Sequence, residues 1–256
     1  MKEILVSGTT LPEAYHKAIM ALHTEGDVLN CKDWDQRQKE LSMTFMVEEP
    51  LAEPMISRLY IGGFRELQQY VMEVLDGILD FKIGDGNCWE YTYHDRLVNY
   101  SGNFDQVEFI VNELKRSEDT RRAVAIIRDN TIDPFNVDPA CLQHMQFLIR
   151  DGKLHGKVLM RSNDAVKASF MNAFAFIMLQ KTIAEKIGVP MGSYTHRANS
   201  YHCYERDFAL IEQYVNGIKN KPMKDITYEY EAFYKPMMEE SLPEIEKMVS
   251  ELREKI

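Results

Sequence analysis

Hydrophobic and polar positions divide the chain into short strand-like and longer helix-like segments. Glu3 to Ser7 reads as a strand, and Thr10-Leu11-Pro12-Glu13 follows with a capping threonine, an early proline and a glutamate three residues on. That pattern predicts a helix to about Thr24. Leu41, Met43, Phe45 and Val47 alternate with Ser42, Thr44 and Met46, the period of a strand with one buried face. Leu67, Val71, Val74 and Leu75 recur at helical spacing within Arg65 to Gly77, as do Phe104, Val107, Ile110, Val111 and Leu114, so each stretch predicts an amphipathic helix.

From Arg122 the pattern turns to strands. Ala123 to Ile127 is a buried strand candidate, and Leu142 to Ile149 and Leu154 to Met160 flank the turn dipeptide Asp151-Gly152 as a hairpin. Ser169 to Ile187 is apolar nearly all round and is followed by Gly188 and Pro190, which predicts a central buried helix with a defined stop. Tyr194 to Tyr204 reads as a strand, Phe208 to Ile218 as a helix, and Ser241-Leu242-Pro243-Glu244 as the cap of a last helix. No repeat, low-complexity tract or Gly/Pro linker interrupts the chain, so the expectation is a single α+β domain over residues 1–256.

Composition narrows the function. The 256 residues are 45% hydrophobic and 27% charged, and 40 acidic against 30 basic side chains give a formal charge of −10. A surface of that sign repels phosphate polymers and acidic membranes, so neither nucleic acid nor membrane is an expected partner and any phosphate must be gripped locally. The longest apolar stretches, such as Phe174 to Leu179, fall far short of the roughly 20 residues of a membrane helix. The first residues lack the basic segment and apolar core of a secretory signal, so the expected location is the cytoplasm. Cys31, Cys88, Cys141 and Cys203 are scattered with no Cys-x-x-Cys pair, which argues against a disulfide framework or a structural zinc site. No metal is expected.

There is no phosphate-binding G-x-x-x-x-G-K-[ST], no G-x-G-x-x-G after a strand and no H-E-x-x-H. The candidates are subtler. Cys141 follows Asp138-Pro139-Ala140 at the start of a strand, and Arg161-Ser162-Asn163-Asp164 ends the second strand of the hairpin. A lone cysteine is most often a small core residue, but Arg161 and Ser162 could bind a phosphate, and positive charge beside a cysteine favours the nucleophilic thiolate. A structural ion pair would serve Arg161 equally well. Arg121 and Arg122 would point to opposite faces if they began a strand. Asn172 lies inside the most apolar helix, where a carboxamide needs partners: a neighbour's backbone or a ligand. His202 and Tyr204, two apart on a strand, face the same side; they could hold a hydroxyl together or simply be half-buried.

These features coincide in one pattern: Asp119 to Tyr204 resembles the thymidylate synthase family, including its pyrimidine hydroxymethylase relatives. Asp119-Thr120-Arg121-Arg122 is similar to the family's Ser-Arg-Arg element, and Asp138-Pro139-Ala140-Cys141 to its Pro-Cys nucleophile motif. Gln146-Phe147 and Asp151-Gly152-Lys153-Leu154 resemble its hairpin, and Arg161-Ser162-Asn163-Asp164 resembles its Arg-Ser-x-Asp motif, 20 residues past the cysteine. Phe170-Met171-Asn172 and His202-Cys203-Tyr204 complete the series. Upstream, Arg65-Glu66-Leu67 resembles the Arg-Glu-Leu-Leu helix.

The resemblance implies a mixed, twisted sheet that forms a dimer interface, with the buried helix from Ser169 behind it. It implies that Cys141 adds to pyrimidine C6 and so activates C5 toward a one-carbon unit, carried by 5,10-methylenetetrahydrofolate or a modified pterin. Arg161 and Ser162 would hold the nucleotide phosphate, with Arg121 and Arg122 donated by the other subunit of an obligate homodimer; Arg37 would be the phosphate-loop arginine. Asn172 would read the base, where a carboxamide can donate to O4 and accept from N3–H of uracil, whereas an aspartate would suit cytosine better. His202 and Tyr204 would bind the sugar hydroxyl, and Asp164 the pterin. Glu66 would relay protons near the base, with Glu73 as its rival two turns later, and Tyr93 would help remove the C5 proton.

The chain also departs from the family. Leu142 replaces a histidine after the nucleophile, Met160 replaces a glutamine, and Ala198-Asn199-Ser200 stands where Gly-Gly-Asp is usual. The expected reaction is reductive methylation of deoxyuridylate. The alternatives are 5-hydroxymethylation of a pyrimidine nucleotide on the same site, if water traps the one-carbon unit before reduction, and a non-catalytic dimer that binds a nucleotide or RNA.

Overall fold

The structure is a computed structural model and describes residues 1–84 and 89–255; Cys88 lies outside the described residues. The strands are β1 (Glu3–Gly8), β2 (Asp27–Cys31), β3 (Gln36–Val47), β4 (Ile56–Ser57), β5 (Val124–Ile126), β6 (Leu142–Arg150), β7 (Lys153–Asp164), β8 (Met191–Tyr204) and β9 (Thr227–Tyr228). The helices are α1 (Leu11–Glu25), α2 (Phe64–Leu75), α3 (Tyr93–Val98), α4 (Gln106–Arg116), α5 (Ser169–Ile187), α6 (Phe208–Asn220), α7 (Lys235–Glu240) and α8 (Leu242–Arg253). The fold is α+β.

Seven strands form one mixed sheet in the order β1-β3-β8-β7-β6-β5, with β2 pairing the first half of β3 on the same edge as β1. Pairs β1/β3 and β7/β8 are parallel, whereas β3/β8, β6/β7 and β5/β6 are antiparallel. The alternation on β3 puts Leu41, Met43, Phe45 and Val47 fully into the core. Behind the sheet lies α5, with Phe174, Ala175, Phe176 and Ile177 inaccessible to water. A hydrogen bond from Gln180 Nε2 to the Leu154 carbonyl, 2.8 Å, ties this helix to β7. Gly156 is what lets Gln180 approach, because a Cβ there would sit 2.5 Å from Oε1.

Several termini form as the sequence predicts. Thr10 Oγ1 accepts from Glu13 N, and Glu13 Oε2 accepts from Thr9 N one residue ahead of the cap, so both side chains satisfy backbone donors at the start of α1. Gly188 ends α5 with φ 88°, a left-handed conformation that glycine adopts without strain. Two expectations need correction. Phe104 lies outside α4, since Asp105 takes the cap position and its Oδ1 accepts from Glu108 N at 2.8 Å. Ser241 caps nothing: α7 runs into α8 with Ser241 itself helical at φ −82°, and its hydroxyl donates to the Met238 carbonyl instead.

Inward-facing positions step by two along most of the sheet but by three at Leu142/Met145, Met160/Asn163 and Ala198/Tyr201. Strand residues alternate faces, so each three-residue step marks a bulge, and the three lie side by side on β6, β7 and β8. They bend the sheet where the chemistry-bearing side chains gather. On the sheet's other face one row of paired residues runs Leu5, Thr44, Arg197, Leu159, His144 and Ile126, with Thr195, Lys157 and Gln146 in the neighbouring row; Leu5 and Ile126 at the edges are 73% and 42% exposed.

Candidate active site

Strand register builds half of the site. Cys141 immediately precedes β6, and its carbonyl accepts from Arg161 N at 2.7 Å, so the nucleophile candidate sits beside Arg161 and Ser162 of β7. Cys141 Sγ lies 3.4 Å from Ser162 Oγ. The Arg161 guanidinium donates to the Pro139 carbonyl at 2.7 Å, to the Ala140 carbonyl at 3.2 Å and to Ser162 Oγ at 3.4 Å, clamping the loop that carries the thiol. One strand further, Ser162 pairs with Ser200 and Asp164 with His202. Beyond that, Gln38 of β3 pairs with Tyr204. The His202 and Tyr204 rings meet edge to face at 4.8 Å.

Asp164 and His202 sit opposite each other on β7 and β8. Burial pushes the Asp164 carboxyl up and the His202 imidazole down, so both are biased toward their neutral forms. Asp164 Oδ1 is also held by Val166 N and Lys167 N, at 3.1 and 3.0 Å, in the turn leading into α5. Cys203 lies between these two site positions but is fully buried, and burial drives its thiol up to about 12, which leaves it protonated and inert at neutral pH.

Helices and loops build the other half. A cavity of about 340 Å³ is lined by Tyr70 and Glu73 of α2, Trp89, Glu90 and Tyr91 of the following loop, Tyr93 at the start of α3, and Asp138 of the cysteine loop. It opens beside Cys141: the Tyr91 hydroxyl is held by the backbone at Cys141 and the Tyr93 hydroxyl by the backbone at Leu142. Burial raises both phenols. Glu90 accepts from Val137 N at 3.1 Å and Asp138 N at 2.9 Å, which ties the two loops together. Burial pushes the Glu73 carboxyl above the usual glutamate range, against a 2.8 Å hydrogen bond from Gln69 Nε2. Asn172 of α5 is 5% exposed, and its Oδ1 accepts from the Tyr70 hydroxyl rather than a backbone group.

Four expected residues, Glu66, Arg121, Arg122 and Arg37, are not brought to Cys141 within this chain. Glu66 is the third residue of α2, where Oε2 accepts from Gly63 N at 2.9 Å and Oε1 pairs with Arg65 at 3.1 Å. Burial raises its carboxyl, but the backbone N–H groups and Arg65 outweigh that and hold it below the usual range. It lines a different cleft with Arg65 and Glu244, so the carboxylate in the cavity beside Cys141 is the rival, Glu73. Arg121 and Arg122 lie exposed ahead of β5, and among the described residues neither guanidinium makes a hydrogen bond or ion pair. Ile126 pairs with His144 and Val124 with Gln146, so both arginines lie at the far end of β6 from Cys141, about 20 Å away by strand rise. Arg37 is one residue from Gln38, the partner of Tyr204, and its guanidinium is ion-paired with Glu205 at the rim.

Sequence reasoning missed Tyr70, Tyr91 and Glu90. Tyr91 stood two residues before the residue singled out, Tyr93. Tyr70 carries a weak signal, lying three residues before Glu73 on the cavity-facing side of α2. Among the described residues no cluster of His, Cys, Asp and Glu could hold a metal ion, and no helix is long and apolar enough to cross a membrane.

The family profile described as thymidylate synthase matches residues 59–240. A protein of Methanocaldococcus jannaschii provisionally named a thymidylate synthase is 32% identical over 223 residues, which covers 82% of this chain and 96% of that protein. A Methanosarcina barkeri protein with the same provisional name is 26% identical over 214 residues, covering 84% and 95%. Among solved structures, the thermostable thymidylate synthase A from Bacillus subtilis has the same fold, with a TM-score of 0.62 at 19% identity over 81% of this chain and 84% of that one.

Proposed function

The chain belongs to the thymidylate synthase family, whose members are methyltransferases that pass a one-carbon unit to a pyrimidine, and from that premise we propose that it methylates deoxyuridylate at C5 through a covalent bond from Cys141. The observation that carries this reading is the row of side chains across adjacent strands: Cys141, then Arg161 and Ser162, then His202 and Tyr204. The thiolate of Cys141 adds to C6, the C5–C6 electron pair moves to C5 and O4, and C5 becomes the nucleophile. Arg161 and Ser162 hold the phosphate while Arg161 keeps the cysteine loop in place. His202 and Tyr204 receive the sugar hydroxyl, and Asn172 the polar edge of the base.

Methylenetetrahydrofolate supplies both the carbon at C5 and the hydride that makes it methyl. The aromatic walls Trp89, Tyr91 and Tyr93, beside the thiol, suit a flat reduced pterin, and Asp164, at the end of the strand that carries Arg161 and Ser162, is the residue that would contact its polar edge. Glu73 is the carboxyl that exchanges a proton with O4 and the C5 position through water, because it lines the cavity beside the thiol and burial raises its proton affinity above that of an ordinary glutamate. The Tyr91 and Tyr93 hydroxyls, anchored at the cysteine loop, order that water.

A second copy completes the site. About 20 Å of strand separates the backbone of Arg121 and Arg122 from Cys141 in one chain, further than an arginine side chain reaches, so any phosphate they share with Arg161 lies on another subunit. The sheet face bearing Leu5, Thr195, Leu159 and Ile126 is the surface for that pairing. The three carboxylates of the cavity, Glu73, Glu90 and Asp138, favour retained water and thereby a second reading, hydroxymethylation. Mass spectrometry of the nucleotide formed from deoxyuridylate and methylenetetrahydrofolate decides between them: thymidylate with dihydrofolate is expected, and a hydroxymethyl nucleotide with tetrahydrofolate would overturn the methylation reading.

A further inference from the structure

A carboxamide can present either of its two ends to a base, and the two ends call for opposite partners. Uracil offers an acceptor, O4, where cytosine offers a donor, the N4 amine. Asn172 therefore selects between them only if something prevents its amide from turning over. Tyr70 is placed to do that. Its ring lines the cavity, but its hydroxyl is desolvated, with Glu73 and Cys141 as electrostatic neighbours, and its one hydrogen-bond partner among the described residues is Asn172 Oδ1. With the amide turned over, the phenol would accept from Nδ2, and its own O–H would face a desolvated wall without an acceptor. In the observed orientation every buried group is satisfied: Oδ1 takes the phenolic proton, and Nδ2, which has no protein partner and is not among the buried unpartnered atoms, presents its N–H groups outward.

We propose that Tyr70 sets the uracil preference of the site by locking the Asn172 carboxamide with its N–H end toward the base. This rests on the reading of Asn172 as the base-contacting residue. Tyr70 is a positioning residue: it acts through Asn172 and touches no reacting atom. Burial raises the phenol, so it keeps the proton that it donates to Asn172 through the neutral range.

The test compares binding of deoxyuridylate and deoxycytidylate by calorimetry, and C5 proton exchange on each, for the wild-type protein, Tyr70→Phe, Asn172→Asp and the double variant. A carboxylate has two equivalent acceptor ends, so turning it over changes nothing. Tyr70→Phe is thus expected to reduce the uracil-over-cytosine preference about fivefold, the size of one neutral hydrogen bond, in the Asn172 protein. In the Asn172→Asp background the same change should leave the preference where it is. A role in packing alone would shift affinity in both backgrounds alike, and that result, or an unchanged preference in Tyr70→Phe, overturns the proposal. A wild-type protein that binds neither nucleotide and exchanges no C5 proton would instead sink the underlying reading of the site, and the proposal with it. Should Tyr70→Phe lose its folded circular-dichroism signal, Tyr70→Met, of similar bulk and without the donor, carries the same two expectations.

Discussion

The strand-borne and helix-borne halves of the site were assembled by different physics, and they differ in how far sequence alone could place them. Cys141, Arg161, Ser162, Asp164, His202 and Tyr204 sit on three adjacent strands, where pairing register and the aligned bulges set which residues are neighbours. Fixed spacing along such strands translates directly into proximity. Tyr70, Glu73, Tyr91, Tyr93 and Asn172 come from two helices and a loop, whose relative placement depends on tertiary packing. Glu66 and Glu73 illustrate the consequence: seven residues apart on one helix, they share a face, yet one is a half-exposed cap and the other lines the cavity. Local motif similarity favoured the first, and packing favours the second.

The sharpest way to break this division is at the nucleophile. Cys141→Ser should reduce turnover to background and leave deoxyuridylate binding within a few-fold, measured by calorimetry, since Arg161 and Ser162 remain; retained turnover would remove the strand half from the chemistry. Next in size, Glu73→Gln should cost roughly a hundredfold or more in turnover, the worth of a general acid–base group. Glu66→Gln should leave turnover within a few-fold and lower stability by about 1 kcal/mol or less through the weakened cap. The reverse ranking would return the proton relay to Glu66.

Subunit mixing tests the part neither half supplies. Cys141→Ser and the Arg121→Ala/Arg122→Ala pair are each expected to be inactive, yet co-refolded mixtures should recover about a quarter of the wild-type sites, because half of the dimers then carry one complete site. No recovery would place the phosphate wholly within one chain.

The smallest effects are in pH-dependent stability, and they have opposite signs in different places. Glu73 binds its proton more tightly folded than unfolded, so its contribution falls as pH rises from the ordinary glutamate range through its raised value. Glu73→Gln should therefore raise the melting temperature above that of the wild type by more at pH 7 than at pH 4. His196 and His16 do the opposite. His196 is fully buried between Tyr194 and Asn163 and stacked on Phe45, and burial lowers it to about 3; His16, bonded to Ser57, is lowered to about 4. Both favour the folded state above the ordinary histidine range, and that advantage is lost as pH falls below it. Melting curves of the wild-type protein between pH 7 and 4 should show a progressive fall.

Much of the sheet was legible because its strands are either alternating or continuously apolar: β3, β6, β7 and β8, and the all-round apolar α5, were recovered with shifts of a few residues at their ends. β2 was not, because Asp27–Cys31 is a largely exposed edge strand with no buried face to pattern it. The Tyr70–Asn172 contact was equally invisible, since a single hydrogen bond between residues 102 apart leaves no periodic trace. Asn172 could be flagged as a polar group in an apolar helix, but only its surroundings show which partner satisfies it.

Everything in the proposed reaction depends on the bond between Cys141 and pyrimidine C6. Incubation with the 5-fluoro analogue of deoxyuridylate and methylenetetrahydrofolate puts a fluorine where the departing proton should be, so an adduct that forms has no route onward. Peptide mass mapping should then find nucleotide and folate together on the peptide containing Cys141 and on no other. An unmodified Cys141 under conditions where deoxyuridylate is converted would contradict the account.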